Sequence, residues 1–99
     1  MEKIIRQYPA GSPAPKRALA GVVASGDLEV LLEPAAAGTT TVTIHTSVDG
    51  KGHLWQAVLA RLFANTALPA AAIEINDCGA TPGVVRLRIE QAFEEASLP

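Results

Sequence analysis

Cysteine is almost absent from this 99-residue chain: Cys78 stands alone, which excludes an internal disulfide and a cysteine-rich zinc cage. Aromatic residues are equally scarce, with one Trp, one Tyr and two Phe, so any core must be built mainly from Val, Ile, Leu and Ala. There is no excess of positive charge. Eight basic and ten acidic side chains leave a formal net charge of −2, without the cationic footprint that a duplex-binding protein needs to displace counterions from phosphate. Nucleic acid is therefore not an expected partner. No apolar run approaches the roughly 20 residues that cross a bilayer, and Met1-Glu2-Lys3-Ile4-Ile5-Arg6 carries charge where a signal peptide would be apolar. We expect a cytoplasmic protein with no direct membrane insertion.

What is present suits one folded domain. A hydrophobic fraction of 48% with 18% charged residues belongs to a globular chain, and 99 residues bury one modest core. Pro9, Gly11, Ser12, Pro13 and Pro15 crowd the first segment. Prolines lack amide donors and resist helix, so residues 1–15 read as an extended Pro-rich N-terminal arm, either solvated or docked on a larger partner. Residues 16–99 then form the domain.

Within that domain, Ala18–Ala24 is a short apolar run, and Leu28, Val30 and Leu32 alternate with Asp27, Glu29 and Glu33. Separated by Ser25-Gly26, the two read as a β-hairpin, because Gly26 tolerates the positive φ of a tight turn. A third strand spans Thr39–Val48, with Val42 and Ile44 on one face and Thr41, Thr43 and His45 on the other. From Gly52 the period turns helical: Leu54, Trp55, Val58, Leu59, Leu62 and Phe63 form one stripe that Asn65, Thr66 and Pro69 stop. Ala71, Ile73 and Ile75 mark another strand. Val85, Leu87 and Ile89 alternate as a strand would, yet Thr81-Pro82 is a helix cap and first residue, and Val85, Ile89, Phe93 and Ala96 keep helical spacing. A helix from Pro82 to Ala96 is the preferred reading. The expected fold is α/β, an α+β sandwich with an N-terminal β-hairpin, further strands and two helices packed on one small sheet. Its strand–helix–strand crossover is expected to be right-handed.

Few residues offer chemistry. His45 and His53 have no acidic or thiol partner at ligand spacing, so neither metal binding nor acid/base catalysis is expected of them. Gly50-Lys51-Gly52-His53 lacks Walker spacing and reads as a turn feeding a helix. Cys78 has no adjacent base, and Glu94 and Glu95 read as a solvated helix face. Ser25 lacks the G-x-S-x-G setting of a nucleophile elbow. It reads as a turn residue, whose hydroxyl on an exposed tip also suits modification by another enzyme.

The segments Ala24-Ser25-Gly26-Asp27-Leu28-Glu29-Val30-Leu31-Leu32-Glu33-Pro34, Thr41–Val48, Gly52-His53-Leu54-Trp55 and Asn76-Asp77-Cys78-Gly79-Ala80-Thr81-Pro82 resemble the acyl carrier (delta) subunit of malonate decarboxylase. The likeness runs from about Lys16 onward, with a looser similarity to the citrate lyase acyl carrier subunit. It implies a non-catalytic carrier whose Ser25 is joined by a phosphodiester to 2′-(5″-phosphoribosyl)-3′-dephospho-coenzyme A. The thiol of that group would carry acetyl and malonyl thioesters during conversion of malonate to acetate and carbon dioxide. It further implies acyl-transferase and decarboxylase subunits and a prosthetic-group transferase as partners. The Ser25-Gly26-Asp27 context departs from the Asp-Ser-Leu helix start of ordinary phosphopantetheine carriers, so their transferase is not expected to recognise it. Two other readings compete: a non-covalent interaction or regulatory subunit, and a small hydrolase using Ser25 or Cys78.

Overall fold

The computed structural model describes residues 1–64 and 68–98. The elements run β1 (Glu2–Pro9), β2 (Ala18–Gly21), β3 (Asp27–Pro34), β4 (Thr39–Thr46), α1 (Gly52–Ala64), β5 (Ala71–Cys78) and α2 (Pro82–Ser97). Asn65 and Thr66, expected to stop the first helix, lie outside the described residues. The strands form one five-stranded mixed sheet in the order β1-β4-β5-β3-β2. Only the central β4–β5 pair is parallel, with Ile44 opposite Ile75 and Thr46 opposite Asp77. Such a pair needs a crossover connection, and α1 supplies it.

Both helices pack on one face of this sheet. Period-2 alternation sends Leu28, Val30 and Leu32 of β3, Val42 and Ile44 of β4, and Ile73 and Ile75 of β5 into the same layer. Trp55, Leu59 and Phe63 of α1 and Val85, Ile89, Ala92, Phe93 and Ala96 of α2 close over it. Burial of each Leu, Ile or Phe contributes about 1.5–3 kcal/mol relative to exposure, so a chain with so few aromatics is held mainly by its aliphatic layer. The α2 start behaves as read: the Thr81 hydroxyl accepts a hydrogen bond from Val84 N at 3.4 Å, and Pro82 occupies the first turn, where a missing amide costs nothing. The alternation of Val85, Leu87 and Ile89 is incidental to a helix that buries Val85 and Ile89 and leaves Leu87 exposed.

The N-terminal arm is not free. Residues 2–9 are a full edge strand, antiparallel to β4 from Glu2 opposite Thr46 to Pro9 opposite Thr39. An edge strand hydrogen-bonds on one side only, so Pro9 is tolerated at its end. The Pro-rich stretch that follows is extended but pinned: Ala14 N donates to Ala70 O at 2.9 Å, Ala70 N donates to Ser12 O at 2.7 Å, and Ala14 is buried. Tyr8 stacks on Phe63 with ring centroids 4.7 Å apart, fastening β1 to α1. The partly buried Tyr8 phenol is pushed above its ordinary pKa by desolvation, against a small lowering by Arg6.

Candidate functional site

The hairpin between β2 and β3 builds an exposed tip. β2 pairs with β3 only from Ala18 opposite Leu32 to Gly21 opposite Glu29, because Gly21 turns the backbone to φ +78° and ends the strand early. Val22 and Val23, expected to belong to the first strand, therefore project from the tip and are 58% exposed each. Ser25 follows them, exposed in the turn.

The turn itself is anchored on three sides. Asp27 N donates to Ala24 O at 2.9 Å across the turn, and Gly26 N donates to Cys78 O at the end of β5 at 2.7 Å. Gly26 takes φ +77° with open space where a Cβ would stand. The third anchor comes from α2. Arg88 Nε and Nη2 donate to Asp27 Oδ1 and Oδ2 at 3.1 and 2.9 Å, a bidentate pair whose side chains are only 28% and 19% exposed. Arg88 Nη1 also donates to Gln91 Oε1 at 3.0 Å, and Asp27 Oδ1 accepts from Leu28 N at 2.7 Å. The hydrogen bonds from Arg88, then that from the Leu28 amide, hold the Asp27 carboxyl below the usual carboxylate range. Arg88 is raised in turn, chiefly by its hydrogen bonds to Asp27. A serine two residues before such a clamp is presented on a fixed base.

At the same end of the sheet, the N-terminal ends of α1 and α2 stand apart over β4 and β5. Between them lies an open pocket of about 160 Å³ walled mainly by Trp55, Val58, Ala80 and Val85, with Lys51 and Leu54 also lining it. Thr46 and Asp77 line it too, and Asp77 is 7% exposed. The protein engages both oxygens of the Asp77 carboxylate: Oδ2 accepts from Thr46 Oγ1 at 2.8 Å and Gly79 N at 3.2 Å, and Oδ1 from Ala80 N at 3.0 Å. These bonds fold the Asp77–Ala80 turn, the local role an aspartate two residues before glycine commonly takes.

The other candidates do not converge. His45 lies on the helix-free face of β4, 4.0 Å from Glu74, while His53 is exposed on α1. Among the described residues no three His, Cys, Asp or Glu side chains stand where they could hold a metal ion. Cys78 is a free thiol whose backbone carbonyl, not its sulfur, meets the tip. Glu94 and Glu95 are exposed on α2, as expected. Among the described residues no helix is long and apolar enough to cross a membrane. Sequence reasoning missed Arg88 and the pocket. Arg88 is 61 residues from Asp27, and no local pattern announces such a pair.

Comparison with known proteins places the chain in a family. The family model described as the malonate decarboxylase delta subunit matches residues 15–96. The malonate decarboxylase acyl carrier protein of Pseudomonas paraeruginosa is 62% identical over 96 residues, covering 97% of each chain. That of Azotobacter vinelandii is 53% identical over 97 residues, covering 98% of each. In a solved structure, the crystal structure of a Pseudomonas malonate decarboxylase hetero-tetramer in complex with malonate, one chain superposes with a TM-score of 0.95 at 53% identity, covering 97% of this chain and 99% of that one. The chain thus belongs to the malonate decarboxylase delta-subunit family of acyl carrier proteins and is a non-catalytic carrier subunit.

Proposed function

We propose that Ser25 is the attachment point of this carrier and that the group it bears is 2′-(5″-phosphoribosyl)-3′-dephospho-coenzyme A, joined through a phosphodiester. The observation that carries the reading is the exposed Ser25 hydroxyl on a tip fixed by Cys78 O, Ala24 O and the Asp27–Arg88 pair. The fit to a large phosphate-linked group is steric and chemical. A primary hydroxyl stands clear of the sheet, and the Gly26 position leaves empty the space a Cβ would fill. When attached, the group would supply the thiol that holds acetyl and malonyl units as thioesters, for which the chain's own Cys78 has no call.

The division of labour follows from the chain's membership of a carrier family. The carboxylate in the Ser25 turn, Asp27, is taken up by Arg88, and exchange of acetyl for malonyl and loss of carbon dioxide fall to acyl-transferase and decarboxylase subunits. A tethered arm gives those subunits a locally high concentration of substrate instead of repeated capture from solution. The proposed assembly is a hetero-tetramer like that of the Pseudomonas relative, with a dedicated prosthetic-group transferase reading the tip and the cytoplasm as the compartment.

Intact-mass measurement on the chain from its native host tests the proposal. We expect one covalent increment matching the phosphoribosyl-dephospho-coenzyme A group, mapped to the Ser25 peptide and absent from Ser25→Ala. An unmodified native chain would instead favour the non-covalent interaction subunit.

A further inference from the structure

We propose that the pocket between the N-terminal ends of α1 and α2 is the resting site for the thiol end of the arm when it carries acetyl, and that it turns away the malonyl form. This rests on the proposed attachment at Ser25. Position is the first argument. The tip is bound to Cys78 O through Gly26 N at 2.7 Å, and the next two residues after Cys78, Gly79 and Ala80, already line the pocket. The turn that bears the attachment point is therefore hydrogen-bonded to the end of the strand whose following turn lines the pocket.

Size and lining are the second. An apolar cavity of about 150 Å³ takes a molecule as large as benzene, and this one, at about 160 Å³, offers Trp55, Val58, Ala80 and Val85 to an acetyl thioester. Affinity need not be high, because an end tethered to the same chain is presented at an effective concentration set by the length of the arm and not by capture from solution.

Charge is the third argument and sets the selectivity. Asp77 is buried in this lining, and its oxygens are already engaged by Thr46, Gly79 and Ala80. A second carboxylate brought against this wall would give up part of its water and face Asp77, an acceptor group that has no donor to offer in return. Lys51 is exposed, where solvent and salt weaken what it could offset. Acetyl carries no charge and meets none of this. The carrier would thus shelter its acetyl form and leave malonyl available to the catalytic subunits.

The test uses the free carrier from its host in unacylated, acetyl and malonyl forms, each checked by intact mass and peptide mapping. Trp55 is the chain's only tryptophan and forms part of the wall, so its emission reports occupancy directly. We expect acetylation to shift Trp55 emission and the amide resonances of Gly79 and Ala80, with the malonyl form matching the unacylated one. Hydroxylamine should cleave the acetyl carrier about tenfold more slowly than acetyl-coenzyme A, the factor for an end docked about nine-tenths of the time. The malonyl carrier should react like malonyl-coenzyme A. Val58→Phe, which fills the pocket, should remove the protection; Leu54→Asp, at a 40% exposed lining position, should do so without touching the core. An arm mapped to Ser25 with Trp55 and cleavage indifferent to acetylation, or with both acyl forms equally protected, overturns the inference. A Trp55 response seen only on adding the catalytic subunits would give the pocket to a partner side chain and overturn it as well. An increment missing or mapped elsewhere defeats the Ser25 reading instead.

Discussion

Gly21 and Gly26 bracket the tip and share nearly the same left-handed backbone, φ +78° and φ +77°, yet they should respond very differently to alanine. At both positions an L side chain costs about 1–2 kcal/mol, offset by about 0.4–1 kcal/mol because alanine restricts the unfolded chain. For Gly26 nothing else enters, since no atom lies within 4 Å of the new Cβ. Gly26→Ala should therefore cost between about 0 and about 1.6 kcal/mol. For Gly21 the Cβ would fall inside the contact distance of the Leu28 carbonyl oxygen, and 3.1 Å from Arg88 Cδ. Both Gly21 and Leu28 O belong to paired backbone, so no rotamer relieves the overlap and the strands must part. Overpacking of that kind costs about 1–3 kcal/mol more, bringing the expected loss for Gly21→Ala to about 1–4.6 kcal/mol, centred near about 3 kcal/mol.

Urea unfolding followed by circular dichroism and Trp55 fluorescence measures the difference, read as a change in midpoint at constant slope. In thermal unfolding, a domain of this size loses about 4–8 °C per kcal/mol, so Gly21→Ala should melt on the order of 15 °C lower and Gly26→Ala only a few degrees lower. Equal losses in the two variants would refute the argument from close approach, leaving φ alone as the reason for both glycines.

Three further outcomes are expected. Ser25→Ala, at an exposed turn position without a side-chain hydrogen bond among the described residues, should leave stability within about 0.5 kcal/mol of wild type while removing the covalent increment. Thr46→Val takes a hydroxyl from the buried Asp77 carboxylate and an acceptor from Val48 N, and should cost about 1–3 kcal/mol in urea unfolding. For Asp27→Asn the pH dependence is diagnostic: the native carboxyl has a lowered pKa, so its stabilisation is present above the unfolded value of about 3.9 and is lost as pH falls through the lower native value. The wild-type advantage over Asp27→Asn should accordingly stay level from neutrality to about pH 5 and shrink below about pH 4; an advantage that instead persists unchanged into strong acid would mean that the Arg88 pairing is not its source.

Much of the fold was legible because one face of each central element is buried. Leu28, Val30, Leu32 and Ile73, Ile75 repeat at every second residue, and Trp55, Leu59, Phe63 and Val85, Ile89, Phe93, Ala96 at helical spacing. β1 was not legible for the complementary reason. An edge strand gives the core few side chains, here Ile4 with the partly buried Tyr8, while Ile5 points outward and Pro9 suggests an arm. The Ser-Gly-Asp turn was visible because glycine and aspartate have local reasons to be there. Its clamp was not, since Arg88 follows α2's own amphipathic pattern and meets Asp27 only when that helix crosses β3.

That clamp bears on why so small a chain suffices. Fixing a hydroxyl at the end of a hairpin needs little core, but a bare hairpin tip frays, and a swinging base would enlarge the volume searched by a tethered thiol and dilute it at every partner site. Gly21 lets β2 and β3 close, Cys78 O holds Gly26, and Arg88 holds Asp27, so the tip is tied to both the sheet and a helix. Motion would then be left to the arm proposed for Ser25. On the proposed reading the group on Ser25 is made elsewhere and brings its own thiol, so what the chain itself supplies is the aliphatic layer and the anchored turn beneath the tip.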